Sequence, residues 1–229
     1  MGTEEEHSRS ESVRPEAPGG GSRGAGSGTL LGAVFCGGRS RRMGLDKALL
    51  RFGDAALIEH AIAALAPLTG TPILAVGAVD RYREFGGERV LDRAPDLGPL
   101  AGLEAVLAKA TERGADAVCV LACDMPAART EDFEKMVALL AERDADLCLA
   151  RSPRGIEPLF GVYRSRLLPR VRSALDRDDR SLRSIHAGAR VVFADLEDGG
   201  RALNLNTCED VEKARTARFG DPQGAWSDE

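Results

Sequence analysis

Four stretches of this chain hold residue types at spacings suited to phosphate chemistry. The first is Gly37-Gly38-Arg39-Ser40-Arg41-Arg42-Met43-Gly44-Leu45-Asp46-Lys47, in which three glycines accompany three arginines and a lysine. Glycine lets a backbone turn sharply and approach a ligand closely. Backbone N–H groups together with Arg and Lys are suited to a triphosphate. The stretch is not a Walker A loop, because Lys47 follows Asp46 and precedes Ala48 rather than sitting between Gly and Ser or Thr. The one literal G-x-G-x-x-G, Gly19 to Gly24, follows no strand and opens no helix, so it carries no nucleotide signal. A basic loop can also be a solvated turn or a docking point for an acidic patch. Its place directly after an apolar strand favours phosphate.

The second stretch is Cys123-Asp124-Met125-Pro126. A carboxylate at the tip of a buried strand can place Mg²⁺ against phosphates, since that ion takes one or two carboxylates and fills its shell with phosphate oxygens and water. Equally, Asp124 can cap the turn before Pro126. The third is Leu91-Asp92, followed by Gly98-Pro99-Leu100-Ala101-Gly102. Asp92 is placed to meet a nucleotide or a bound water, and Gly-Pro opens a helix. The fourth is Asn204-Leu205-Asn206-Thr207. Two Asn side chains on one side of an extended segment suggest specific hydrogen bonds, and helix capping accounts for Thr207 better than for Asn204.

These loops need strands to position them. Leu30–Cys36, Pro72–Val76, Arg89–Leu91 and Ala117–Ala122 are short apolar runs, and Asp146–Ala150, Leu159–Tyr163 and Arg190–Ala194 extend the series. Between them lie helical spacings: Leu57, Ile58, Ala61, Ile62 and Leu65; Leu100, Leu103, Leu107 and Ala110 behind Pro99; Phe133, Met136, Val137 and Leu140 behind Thr130 as N-cap. Ser165–Leu175 and Cys208–Arg218 read as further helices. Alternating strands and helices predict an α/β fold with a mostly parallel, Rossmann-like sheet between two helical layers. Ligands of such sheets bind beyond the carboxyl ends of the strands, where the strand order reverses.

Composition narrows the classes. Residues 1–28 hold seven Gly and two Pro, with Val13 the sole β-branched aliphatic, and predict a disordered tail. One domain over 29–220 and a frayed 221–229 complete the expected organisation. No apolar run approaches the roughly 20 residues of a membrane span, and no export signal is present, so a cytoplasmic protein without membrane attachment is expected. The net charge is −5, against general nucleic-acid binding. Five cysteines without a C-x-x-C pair predict reduced core thiols. A hydrolytic triad would need His60 or His186.

The motifs together resemble a family. Gly37–Lys47 matches a G-G-x-S-x-R-M-G-x-D-K signature without a gap. Gly98–Gly102, Leu121–Pro126, Glu157-Pro158-Leu159-Phe160-Gly161-Val162-Tyr163 and Asn204–Thr207 follow in the same order and spacing. From about Leu30 to Arg218 the chain resembles the molybdenum cofactor guanylyltransferases, MobA-like members of the sugar-nucleotidyltransferase-like superfamily. The resemblance implies a three-layer sandwich of the nucleotide-diphospho-sugar-transferase type, GTP and molybdopterin as substrates, and Mg²⁺ as cofactor. It further implies transient contact with carrier or acceptor proteins of the molybdenum cofactor. By matched position, Cys36, Gly37 and Gly38 would meet the nucleotide through backbone atoms. Arg42 and Lys47 would hold phosphates, Asp92 the nucleoside and Asp124 the Mg²⁺, with Arg42, Lys47 and Asp124 catalytic. Arg180, Asn204 and Asn206 match positions near the second substrate.

There are departures. Phe35-Cys36 stands where Leu-Ala is usual, Val76-Gly77 where an Asn often contacts the nucleotide, and Glu157 where Gln or His is frequent. Cys36-Gly37-Gly38 matches the Ala-Gly-Gly of guanylyl enzymes, at its second and third positions, rather than the Ala-Ala-Gly of cytidylyl ones. A cytidylyltransferase or sugar-phosphate nucleotidyltransferase is the alternative chemistry, and a catalytically silent nucleotide-binding module the alternative class. Retention of Arg42, Lys47, Asp92 and Asp124 argues against the silent module.

Overall fold

The computed structural model describes residues 28–37, 46–94, 97–196, 205 and 210. The expected tail, the C-terminal residues 221–229 and most of the expected helix Cys208–Arg218 lie outside these residues, as do Gly38, Arg42, Asn204 and Asn206.

The apolar run after Thr29 becomes β1 (Leu30–Phe35). A two-stranded hairpin, β2 (Arg51–Phe52) and β3 (Ala55–Ala56), leads into α1 (Leu57–Thr69). Then come β4 (Ile73–Ala75), β5 (Arg89–Val90), α2 (Pro99–Glu112), β6 (Ala117–Ala122) and α3 (Thr130–Glu142). The series closes with β7 (Leu147–Ser152), β8 (Gly155–Arg164), α4 (Leu168–Asp176) and β9 (Val191–Asp195). Seven strands form one sheet in the order β5-β4-β1-β6-β8-β7-β9. From β1 the chain works outward through β4 to β5, then returns to pair β6 on the other side of β1. The reversal of order therefore lies between β1 and β6, and their carboxyl ends frame the crevice.

Side-chain alternation divides the core. One face of the sheet (Val34, Leu74, Cys119, Leu121) packs under Ile58, Ala61 and Leu65 of α1 and Phe133, Met136 and Leu140 of α3. The other (Leu31, Ala33, Ile73, Val118, Val120) packs under Leu100, Leu103 and Leu107 of α2 and Val171, Ala174 and Leu175 of α4. This is the expected three-layer sandwich. β6 is buried along its whole length, as strands covered on both faces must be.

Three details differ from the sequence reading. β8 runs antiparallel to both β6 and β7, so β6 has a parallel neighbour only in β1. A register shift between Leu149 and Ala150 accommodates Pro158, which cannot donate to a ladder. Thr130 is the first helical residue rather than the cap. Arg129 holds the extended cap position, its N–H donated to Asp132 Oδ2 at 3.0 Å, and Thr130 Oγ1 donates instead to Ala64 O of α1 at 2.9 Å. Neither histidine is set against a nucleophile among the described residues: His60 Nε2 lies 2.7 Å from Phe52 O, and His186 Nε2 is buried with no hydrogen-bond partner there. Among the described residues no helix is long and apolar enough to cross a membrane.

Phe133 is fully buried 5.1 Å from Phe160, ring to ring, and joins α3 to β8. Phe133→Ala is expected to cost about 3–5 kcal/mol in denaturant unfolding. A loss below about 1 kcal/mol would contradict this packing.

Candidate active site

The signature stretch ends in a 3₁₀ turn, Lys47–Leu49, capped by Asp46, whose Oδ1 accepts from Ala48 N–H at 3.2 Å. Ala48 is buried in the core, and Leu50 O accepts from Leu57 N–H at the start of α1, at 2.9 Å. Lys47 thus stands on a turn held at both ends. Its Nζ reaches Asp124 Oδ2 at 2.6 Å, across 77 positions of sequence. The two side chains keep 18% and 20% of their exposure, so the pair is open enough for a ligand to replace one partner.

Asp124 lies two residues past the end of β6. The Cys123 N–H is donated to Phe35 O at 3.0 Å, which continues the β1–β6 pairing past the strand ends. Asp124 O accepts from Leu205 N–H at 3.0 Å. Leu205 is fully buried with Phe52 and Leu57, and Leu50 packs against the same group. One small satellite core therefore underlies both sides of the ion pair, through Leu50 for Lys47 and Leu205 for Asp124. It also carries the middle of the Asn204–Thr207 motif to the carboxyl end of β6.

Cys36 and Gly37 leave β1 at the crevice, and their N–H groups both point to Ala75 O, at 3.1 and 2.8 Å. Those two amides are committed to the sheet. A Cβ on Gly37 would sit 2.3 Å from Gly77 N, so this crossing of two backbones requires glycine. Gly77 occupies the position where the resemblance leads one to expect Asn. Asp92 follows β5 on the same rim, its N–H donated to Gly77 O at 2.9 Å. Gly102 lets α2 approach it: a Cβ there would lie 2.9 Å from Phe35 Cε1 and 3.5 Å from Asp92 Oδ1. Burial pushes the Asp92 carboxyl above the usual carboxylate range. Arg180 sits beside the start of α2, where a Cβ on Gly98 would lie 3.5 Å from its carbonyl oxygen, and its guanidinium bonds Asp178 Oδ1 at 2.8 and 3.0 Å.

Cys36, Cys119, Cys123 and Cys148 are buried free thiols, as expected for core cysteines, and burial pushes Cys36, Cys119 and Cys148 up to about 12. Such thiols are poor nucleophiles and poor metal ligands. Asp124 is different. Its Oδ1 is buried and has no hydrogen-bond partner among the described residues. An orphaned carboxylate oxygen beside an ion-paired one fits a divalent cation. No cluster of three or more His, Cys, Asp or Glu able to hold a metal occurs among the described residues. The protein's share would be small and phosphate would supply the rest, as for Mg²⁺ bound with a nucleotide.

The model of the MobA-like NTP transferase domain matches residues 32–194. This chain belongs to that family. A probable molybdenum cofactor guanylyltransferase of Opitutus terrae is 34% identical over 198 residues, 83% of this chain and 97% of the relative. The molybdenum cofactor guanylyltransferase of Vibrio campbellii is 32% identical, over 82% of this chain and 93% of its own. The crystal structure of molybdopterin-guanine dinucleotide biosynthesis protein A from Archaeoglobus fulgidus shares the fold: TM-score 0.65, 22% identity, 81% of this chain and 97% of that one. In this MobA-like chain, Lys47, Asp92 and Asp124 were singled out by the sequence, whereas Asp46, Tyr82 and Leu205 were given no role. Tyr82 is one of only two tyrosines. That rarity, close behind β4, was the available signal.

Asp92 yields a pH test. Its folded carboxyl pKa is raised above the unfolded value of about 3.9, so ionisation opposes folding at neutral pH and that cost vanishes as pH falls through the raised pKa. Asp92→Asn is expected to melt above wild type at pH 7, the gap closing by about pH 4. A gap independent of pH would contradict the burial of a charge here.

Proposed function

We propose that this chain transfers GMP from GTP to the terminal phosphate of molybdopterin, with molybdenum inserted, giving the guanine dinucleotide form of the molybdenum cofactor and pyrophosphate. The supporting observation is the convergence of Lys47 and Asp124 at the strand-order reversal, 2.6 Å apart. Relatives named molybdenum cofactor guanylyltransferase at 32–34% identity support the choice of substrates.

The reaction needs no protein nucleophile. A phosphate oxygen of molybdopterin attacks the α-phosphorus of GTP in line, a P–O bond forms, and the bond to the β-phosphate oxygen breaks. The chain's task is to hold two polyanions together and offset their charge. Lys47 moves from Asp124 to a phosphate oxygen as the nucleotide enters, and Arg42 adds a second cation. Asp124 would hold Mg²⁺, whose charge offsets that of the triphosphate and of the departing pyrophosphate. Asp92, on the β5 side of the crevice, takes the nucleoside through donors of the ribose or base. Cys36, Gly37 and Gly38 bring backbone close to it. Arg180, Asn204 and Asn206 serve the acceptor, with Leu205 fixing the position of its motif.

Pyrophosphate release on mixing GTP, Mg²⁺ and molybdopterin tests the reaction. Asp124→Ala, Lys47→Ala and Arg42→Ala are each expected to lower kcat on the order of 10²-fold or more, with circular dichroism unchanged. Turnover of Asp124→Ala within a few-fold of wild type would refute the metal assignment. Equilibrium binding is expected to favour GTP over CTP, and tighter CTP binding would move the chain to cytidylyl transfer.

A further inference from the structure

Asp46 and Tyr82 have no part in the chemistry above, yet their contacts lie against it. Tyr82 is 4% exposed and takes a left-handed backbone conformation, φ 66°, which bulky residues seldom adopt. Its hydroxyl lies 2.7 and 2.8 Å from the two carboxylate oxygens of Asp46 and 3.2 Å from Cys36 O. Cys36 stands immediately before the Gly37–Lys47 stretch, and Asp46 immediately before Lys47. One buried hydroxyl therefore lies against both ends of the phosphate loop, its single proton shared between the Asp46 carboxylate and, at the longer distance, the Cys36 carbonyl. Arg81 completes the contact: its Nη1 lies 3.2 Å from Asp46 Oδ2, and its guanidinium sits 5.0 Å from the Tyr82 ring centroid. The Asp46 charge is thus offset by the protein rather than left to repel a triphosphate. Burial and the Asp46 carboxylate push the Tyr82 phenol pKa up, which keeps the hydroxyl a donor.

We propose that Tyr82 is a positioning residue that ties the two ends of the phosphate loop together and, through Asp46, sets Lys47 against Asp124. The consequence for catalysis rests on the guanylyltransferase reading; the tie itself does not. Asp46 caps the turn that carries Lys47, so releasing its carboxylate frees that turn. With the hydroxyl gone, the loop's return at Asp46 is held by Arg81 and by the cap bond to Ala48.

The test is Tyr82→Phe in the full chain, which keeps the ring and removes the oxygen. Hydrogen exchange in the nucleotide-free protein reads the amides of Ala48, Leu49 and Leu50, which bond to Asp46 and Lys47. Their exchange is expected to rise about tenfold or more, with the amides of β6 unchanged. In turnover, kcat/KM for GTP is expected to fall about 10- to 100-fold, with KM for molybdopterin unmoved. Asp46→Ala, which removes the acceptor, combined with Tyr82→Phe should be no worse than Asp46→Ala alone. Unchanged exchange at those three amides, or losses that multiply in the double variant, would overturn the proposal. Should Tyr82→Phe fail to fold, Asp46→Ala removes the same bond from its other end, with the amides of Leu49 and Leu50, whose partners are backbone oxygens, deciding. A wild type that binds no GTP would refute the functional reading, while the exchange result would still decide the tie.

Discussion

A lysine and an aspartate 77 positions apart meet at 2.6 Å, about four-fifths covered, at the carboxyl edge of the sheet. A pair like this contributes little to stability, because the attraction is offset by loss of hydration. Its value is that both charges are already stripped of most of their water and aimed at one place. A polyanion entering there can take the lysine, and a cation can take the carboxylate, with little further rearrangement. The remaining architecture keeps these two groups in register.

That register comes from two sources. The first is the parallel pairing of β1 with β6, with six partnered positions from Leu30–Ala117 to Phe35–Ala122. It continues into the Cys123 amide and fixes the point from which Asp124 projects. The second is the satellite group of Phe52, Leu57 and Leu205 with Leu50 against it, set apart from the two main cores and seated under the rim. The short hairpin β2–β3 and a residue from near the C-terminus exist, in mechanical terms, to complete that group. Removal of apolar contact there would loosen the ion pair without touching a charged atom.

Much of this was legible in the residues. A strand buried on both faces announces itself by an unbroken apolar run such as Ala117–Ala122, and the residues after such strands are where chemistry collects. Asp124 was singled out this way, Lys47 by the glycine- and arginine-rich stretch after the first strand, and the helical faces at Leu57–Leu65 and Leu100–Ala110 emerged where periodicity placed them. The direction of β8 was not legible, because an apolar run looks the same whichever way its strand runs. Nor was the cap at Arg129, since a Thr beside acidic residues carries the usual N-cap signal while its hydroxyl is free to bond Ala64 across the layer. The links from Tyr82 to Asp46 and from Leu205 to Asp124 join residues 36 and 81 positions apart. Contacts of that range leave no periodic trace in one sequence.

The claim at the centre is that the Lys47–Asp124 pair marks the triphosphate site. A crystal structure of the chain with GTP and Mg²⁺ tests it most directly. The expected result has Lys47 Nζ bonded to a phosphate oxygen and the metal bound between Asp124 and the triphosphate. A triphosphate bound elsewhere, with the 2.6 Å Lys47–Asp124 contact unbroken, would contradict it.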